Sequence, residues 1–252
     1  MTRITGQAAS SGHITLLFSV QDDDAELINQ GSRGIGLCID PIQPTCQIIV
    51  TGEIGSGKIL EKSQNQNLTL QQTVIDTLSK LVPSVLEYNW QIQQSCGLPQ
   101  QQGFGLSAAG ALATALALQR ALGVDEQLAH PQSFHVAHLV ERKLSGGLGD
   151  IAALWAGGID LRREPGCPQV SETLGGSGVV DGWYSNLKFL VAWRDRTTRH
   201  TSAYIDDEEW KTRIRISGEE QLTALKQGIW NKSRWGELLT QVELNFYKLQ
   251  NL

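Results

Sequence analysis

A short glycine run, one serine, one glutamate and one aspartate carry most of the chemistry that this sequence offers. The stretch Pro99–Gly123 reads PQQQGFGLSAAGALATALALQRALG. Ala, Leu and Gln favour helix, so the run predicts a helix from about Ser107 to Leu122, with Gly123 as its C-terminal cap. Gly103 and Gly105 then fall just before the helix N-terminus. Unpaired backbone N–H groups and the helix dipole favour an anion there, and the missing side chains let it come close. Phosphate is the natural ligand, met by the backbone of Gly103, Phe104, Gly105, Leu106, Ser107, Ala108, Ala109 and Gly110. The Ser107 hydroxyl could cap the helix or reach a metal ion. The plainer alternative is a glycine turn before a buried helix whose small residues only permit close packing, and spacing alone does not decide.

Downstream, Asp150 sits in the glycine-rich turn SGGLGD before the apolar run Ile151–Ala156, and Gly157-Gly158 ends that run. An aspartate there serves either as a helix N-cap or as a base toward a substrate hydroxyl. Glu141 closes the helical segment 133–143 just upstream. That segment also holds His135 and His138, but no acidic or cysteine partner stands at metal-site spacing, so zinc is not expected. Arg33, in Gly31-Ser32-Arg33-Gly34, reads as a turn arginine that either meets solvent or offers its fork to a carboxylate or phosphate. His13 opens a strand and could touch a ligand or be structural. Gly52-x-x-x-x-Gly57-Lys58 imitates a P-loop, yet Ile59 stands where a hydroxyl is needed and no amphipathic helix follows. A hairpin turn at Gly55-Ser56-Gly57 fits better.

These residues need elements to hold them. Strands are predicted over 13–20, 35–39, 88–92, 158–163 and 187–193, and helices over 68–85, 107–122 and 133–143. Further helices are expected over 208–210, 219–235 and 238–249, with 164–182 as loop. Trp183, Trp193, Trp210, Trp230 and Trp235 would give the C-terminal part a bulky core. At 252 residues and a net charge of −5, the composition is that of an ordinary folded protein with no basic excess for nucleic acid. The longest apolar run, Leu106–Leu118, is too short to span a bilayer, and no secretory leader is evident, so a cytoplasmic location is expected. Cys38, Cys46, Cys96 and Cys167 lack C-x-x-C spacing and read as reduced, mostly buried thiols.

Together the pieces resemble the GHMP kinase superfamily. Its phosphate motif, approximately P-x-x-x-G-L-G-S-S-A-A, is similar to Pro99–Ala109, with Phe104 in place of a leucine and Leu106 in place of the first serine. The superfamily's spacing from aspartate to a Gly-Gly pair is repeated by Asp150 and Gly157-Gly158. Within it, the chain looks most like the archaeal pantoate kinases at Gly12–Thr15, Gly31–Gly36, Gly103–Leu112, Ala137–Glu141 and Gly147–Asp150. The resemblance implies an α+β, two-lobed fold: a ribosomal-S5-like N-terminal lobe over 1–180 and a ferredoxin-like C-terminal lobe over 181–252. It implies ATP and Mg²⁺ as cofactors, with Ser107 and Glu141 on the metal and Asp150 as the catalytic base. It further implies a small hydroxy acid, pantoate, held by His13, Ser32 and Arg33 and converted to 4-phosphopantoate in coenzyme A synthesis. A homodimer is compatible with it. A third glycine-rich motif is expected near the C-terminus, where only Gly218, Gly228 and Gly236 follow Asp206, so the C-terminal lobe reads as short. A kinase for another small alcohol, or a non-catalytic ligand-binding relative, are the alternatives.

Overall fold

The computed structural model describes residues 3–39, 45–60, 68–184, 188–193 and 206–225, together with 237, 238, 240 and 242. Two antiparallel sheets, five α-helices and a 3-10 helix at Pro83–Glu87 make up the ordered elements among these residues. The strands are β1 (Ile4–Ser10), β2 (Gly12–Gln21), β3 (Gly31–Ile39), β4 (Cys46–Ile54), β5 (Tyr88–Cys96), β6 (Ile159–Glu164) and β7 (Val179–Trp183). The helices are α1 (Thr69–Leu78), α2 (Leu106–Ala121), α3 (Glu126–Lys143), α4 (Asp150–Ala156) and α5 (Glu208–Leu225). Three strands pair in the order β1-β4-β5 and four in the order β2-β3-β6-β7.

The Ala/Leu helix is central because almost every side of it is buried. From Leu106 to Gln119 only Ser107 escapes burial. Its small residues let α2 lie tight against β1 and β4 while α1 and α3 cover its other sides. The core built on it takes Ile48, Val50, Val74, Leu78, Trp90, Leu118 and Val140. Burial at roughly 25 cal/mol per Å² of apolar surface makes this the dominant stabilising cluster. The second sheet has a separate small core: Leu17, Ile35 and Leu161 pack against Leu222 and Leu238. α5 therefore covers one face of that sheet, and α4 lies against the other, with Cys38 Sγ reaching the Ala153 carbonyl.

Several expectations need correction. Gly31–Gly34 is not a turn but the start of β3, which pairs with β2 through Ser19 opposite Arg33. Residues 179–183, expected as loop, form β7 against β6. Lys188–Trp193 adopts no regular strand, and Leu187 lies outside the described residues. Glu208–Trp210 is the first turn of α5, capped by Asp207, whose carboxylate accepts from the backbone of Glu209 and Trp210. The helices expected over 226–235 and most of 238–249, with Trp230 and Trp235, lie outside the described residues. Trp193 is 48% exposed rather than core, and its ring meets Phe104 edge-on at 6.0 Å. Gly55-Ser56-Gly57 is a bend and not the hairpin turn expected: β4 pairs with the distant β5, and after the bend Ile59 bridges Trp90 in parallel, with no P-loop helix opening.

Candidate active site

The glycine turn enters α2 in left-handed conformations that glycine adopts without strain: φ is 80° at Gly103 and 61° at Gly105, the N-cap. No side chain caps the helix. The first intrahelical bond at this end runs from Ala109 N–H to the Gly105 carbonyl at 3.0 Å. The amides of Leu106, Ser107 and Ala108 thus precede the helical ladder, which is the arrangement an anion needs. Phe104, Leu106, Ala108, Ala109 and Gly110 are buried, so their contribution to a phosphate would come from backbone alone. The turn is anchored to β2 by the His13 N–H, which donates to the Phe104 carbonyl at 3.0 Å.

Beside the turn, α3 delivers Glu141. Its Oε2 accepts from the Ser107 hydroxyl at 3.1 Å and from the Gly147 N–H at 2.6 Å. Burial and the nearby Asp150 charge push the Glu141 carboxyl up to about 7, although Gly147, Ser107 and Arg142 all pull the other way. Asp150 is the first residue of α4, not its cap, and it comes close to Glu141 beside Gly147. A Cβ on Gly147 would collide with Asp150 Oδ2 and lie 3.0 Å from Glu141 Oε2. Ser107, Glu141 and Asp150 therefore converge on one spot beside the turn.

Behind Asp150 the structure holds a chain of charges that the sequence reading did not foresee. His13, fully buried, places Nδ1 2.6 Å from Asp150 Oδ1 and Nε2 2.8 Å from Asp160 Oδ2. Arg162 continues it, with Nη1 donating to Asp160 Oδ1 at 2.5 Å. Burial alone would lower the His13 pKa, but the Asp160 charge and hydrogen bonds to both carboxylates outweigh it and raise it to about 9. Asp160 is held below the usual carboxylate range: burial opposes its ionisation, and Arg162 and His13 overcome that. Arg162 is 1% exposed, and its Nε and Nη2 find no acceptor among the described residues.

Strand alternation sorts the remaining predicted residues. His13, Asp160 and Arg162 share one face of the sheet with Ser32. A Cβ on Gly34 would sit 2.5 Å from Arg162 Nη2, one on Gly36 would strike His13 Nε2, and one on Gly149 would crowd both Ser32 Oγ and Arg162 Nε. The glycines of GSRGIG thus leave room for buried charged side chains. Arg33 faces the other way. Its Nη1 donates to Glu219 Oε2 on α5 at 2.7 Å, and Glu219 also accepts from Ser19 and Gln21. Hence Ser107, Glu141, Asp150, His13 and Ser32 are brought together and Arg33 is not. One signal for Arg162 was in the sequence: Asp160 and Arg162 are two apart, as are Gly34 and Gly36 on the strand they pair with. His138 is also buried nearby in α3, with Nε2 3.0 Å from the Gln30 carbonyl; burial and Arg142 lower its pKa to about 4. Among the described residues, no group of three or more His, Cys, Asp or Glu forms a metal site, and no helix is long and apolar enough to cross a membrane.

Residues 70–158 match the family model of the GHMP kinases N terminal domain. The chain is 36% identical over 147 residues to a pantoate kinase of Thermococcus kodakarensis, covering 58% of this chain and 44% of that one. It is 30% identical over 169 residues to a pantoate kinase of Methanospirillum hungatei, covering 66% and 55%. The chain thus spans about half the length of these two relatives. A solved structure described as a phosphotransferase related to the CoA biosynthesis pathway superposes with a TM-score of 0.70 at 25% identity, covering 98% of this chain and 77% of that one. A mevalonate diphosphate decarboxylase of Enterococcus faecalis shares the fold at a TM-score of 0.61 and 14% identity, over 98% and 74% of the two chains.

Proposed function

We propose, from the premise that residues 70–158 are a GHMP kinase N-terminal domain, that the chain transfers the γ-phosphate of ATP to the primary hydroxyl of pantoate, giving 4-phosphopantoate for coenzyme A synthesis. The observation that carries this reading is the convergence of Ser107, Glu141 and Asp150 beside the amides that open α2. The amides from Gly103 to Ala108 would meet phosphate oxygens, and Ser107 and Glu141 would hold Mg²⁺. Their hard oxygen donors fit that ion, which takes one or two carboxylates and completes its shell with phosphate oxygens and water. Glu141 fits in a second way, since a buried carboxyl pushed to about 7 lacks a cation. Bound there, Mg²⁺ supplies charge neutralisation on the phosphates.

Asp150 Oδ1 is occupied by His13, so Oδ2 is the oxygen that meets the substrate hydroxyl. The hydroxyl oxygen forms the new bond to γ-phosphorus, the bond from phosphorus to ADP breaks, and the hydroxyl proton passes to Asp150. The acceptor's carboxylate is bound by Arg162 and Ser32. Arg162 and Arg33 each keep two nitrogens without partners among the described residues, but those of Arg162 lie on the Asp150 face, whereas Arg33 points to the opposite face, where its Nη1 donates to Glu219. Reaching Arg162 requires the turn 145–149 to shift, because the guanidinium is covered. The reading takes ATP and a hydroxy acid as substrates and a cytoplasmic location, is compatible with a homodimer, and moves the lobe boundary past β7, because a boundary at 180/181 would cut that strand.

The test is to incubate the full chain with ATP, Mg²⁺ and pantoate and to follow 4-phosphopantoate by mass. Asp150→Asn should lower kcat by about a thousandfold. Turnover of a different alcohol replaces the acceptor and keeps the kinase. No product from any alcohol, with nucleotide still bound, makes the chain a ligand-binding relative.

A further inference from the structure

We propose that Asp150, His13, Asp160 and Arg162 act as one coupled chain, in which His13 is a positioning residue that fixes Asp150 only when an acidic acceptor has fixed Arg162, so that selection for an acid is expressed in kcat as well as in KM.

The geometry carries this. Each ring nitrogen of His13 meets a carboxylate oxygen, 2.6 Å toward Asp150 and 2.8 Å toward Asp160, and no edge of the ring remains for a substrate. Two ionised carboxylates need two N–H donors, so the ring is an imidazolium. The four groups then alternate in sign and sum to zero, which is what lets so much charge be buried together. The chain has one unsatisfied end. Asp160 and His13 have no exposed surface, whereas Arg162 keeps two nitrogens without acceptors and Asp150 is 16% exposed at the other end. An anion that takes up the spare donors of Arg162 fixes the guanidinium, and through Asp160 and the ring it fixes the rotamer of Asp150. A neutral alcohol of the same shape leaves Arg162 unsatisfied and the chain loose.

The groups facing His13 come from every element packed on it. β6 supplies Asp160 and Arg162, and α4 supplies Asp150. β3 supplies Cys38, whose thiol is pushed up to about 12 by burial and the two aspartates and so stays neutral. The glycine turn presents only backbone to His13, at Phe104 and Gly105. Deprotonation of His13 near 9 therefore removes the cation that stands between the two carboxylates.

The inference rests on the proposed phosphotransfer, and the test separates the two. His13→Asn keeps an amide near the Nδ1 position and loses Asp160; His13→Gln keeps one near Nε2 and loses Asp150. With pantoate, both variants should lose about a hundredfold in kcat with KM changed less than about threefold. Their kcat advantage for pantoate over its neutral diol analogue should vanish. The wild-type rate should fall as pH rises through about 9, and the variants should lack that limb. A variant with wild-type kcat, a loss confined to KM, or a retained alkaline limb overturns the inference. NMR of the wild-type ring decides it without turnover or variants that fold. A doubly protonated His13 signal up to about pH 9 is expected, and ordinary titration near 6.5 overturns the chain. If no alcohol is phosphorylated, the phosphotransfer reading falls and the ring titration still judges the chain.

Discussion

The two faces of the β2-β3-β6-β7 sheet carry arginines on adjacent strands and treat them in opposite ways. On the face toward α4, Arg162 is buried, tied to Asp160, and surrounded by glycines that leave it room. On the face toward α5, Arg33 joins a partly exposed network with Glu219, Ser19 and Gln21 beside the small apolar core of Leu17, Ile35 and Leu161. Ser32 and Arg33 differ by one position along the chain and stand on opposite sides because strand side chains alternate. The difference teaches that a charged residue's role here is fixed by its parity in the strand. Both arginines keep two nitrogens without partners among the described residues, so the difference is burial: the Arg162 side chain is 1% exposed and its loss is costly, whereas Arg33, at 15%, stands nearer water and is more readily replaced.

Removing one arginine from each face gives the largest contrast. Arg162→Met strands Asp160 and leaves His13 facing an uncompensated carboxylate, so it should cost about 3–5 kcal/mol of stability and sharply raise KM for the acid. Arg33→Met leaves Glu219 with its hydroxyl and amide partners and should cost about 1 kcal/mol, with kcat/KM unchanged. Chemical denaturation and steady-state kinetics on the pair of variants check both. Equal costs in stability and activity would erase the distinction between the faces.

How far this arrangement was legible varied from residue to residue. The turn before α2 could be read because its signals are local: glycines, then strong helix formers, then Gly123. Asp150 and Glu141 were found by their place beside glycines and at a helix end. His13 was singled out, but both its partners lie far along the chain, 137 and 147 positions away, so its double pairing had no local sign. Arg162 has no such sign, because Ile159–Glu164, with four charges in six residues, reads as a solvated edge. Only the β3–β6 register, setting Gly34 opposite Arg162 and Gly36 opposite Asp160, shows that the strand is charged inward. Strand 187–193 was expected from apolar composition, yet Leu190 is 98% exposed, so composition without a covering element was a poor guide.

A gentler test addresses the acidic side of the same contrast. Glu141 has a raised pKa, so its protonated form is favoured by folding; its contribution to stability is present below about 4.5 and is lost as pH rises through about 7. Without metal, the Tm should therefore fall across that window, and Glu141→Gln should remove that part of the fall. Mg²⁺ with nucleotide favours the carboxylate, so its binding should tighten about tenfold per pH unit below about 7 and level off above it. Calorimetry at several pH values reads this directly. Binding independent of pH between 5.5 and 7, to be sampled in about half-unit steps, would take the metal off Glu141.

The smallest effect expected concerns Arg163, the immediate neighbour of Arg162. It pairs with Asp181 on β7, and both side chains are about half exposed, 52% and 45%. Water already solvates the two charges, and holding two long side chains in register costs rotamer freedom, so Coulomb attraction across the pair is largely offset. Arg163→Ala should therefore change stability by less than about 0.5 kcal/mol and leave kinetics untouched, with the difference shrinking further in salt because the pair is screened. Set beside Arg162→Met, this measurement compares two successive arginines on one strand, one buried against Asp160 and one exposed at the irregular β6–β7 register. A loss from Arg163→Ala approaching that from Arg162→Met would mean that β6 as a whole is intolerant of change, and parity would no longer explain which charges matter.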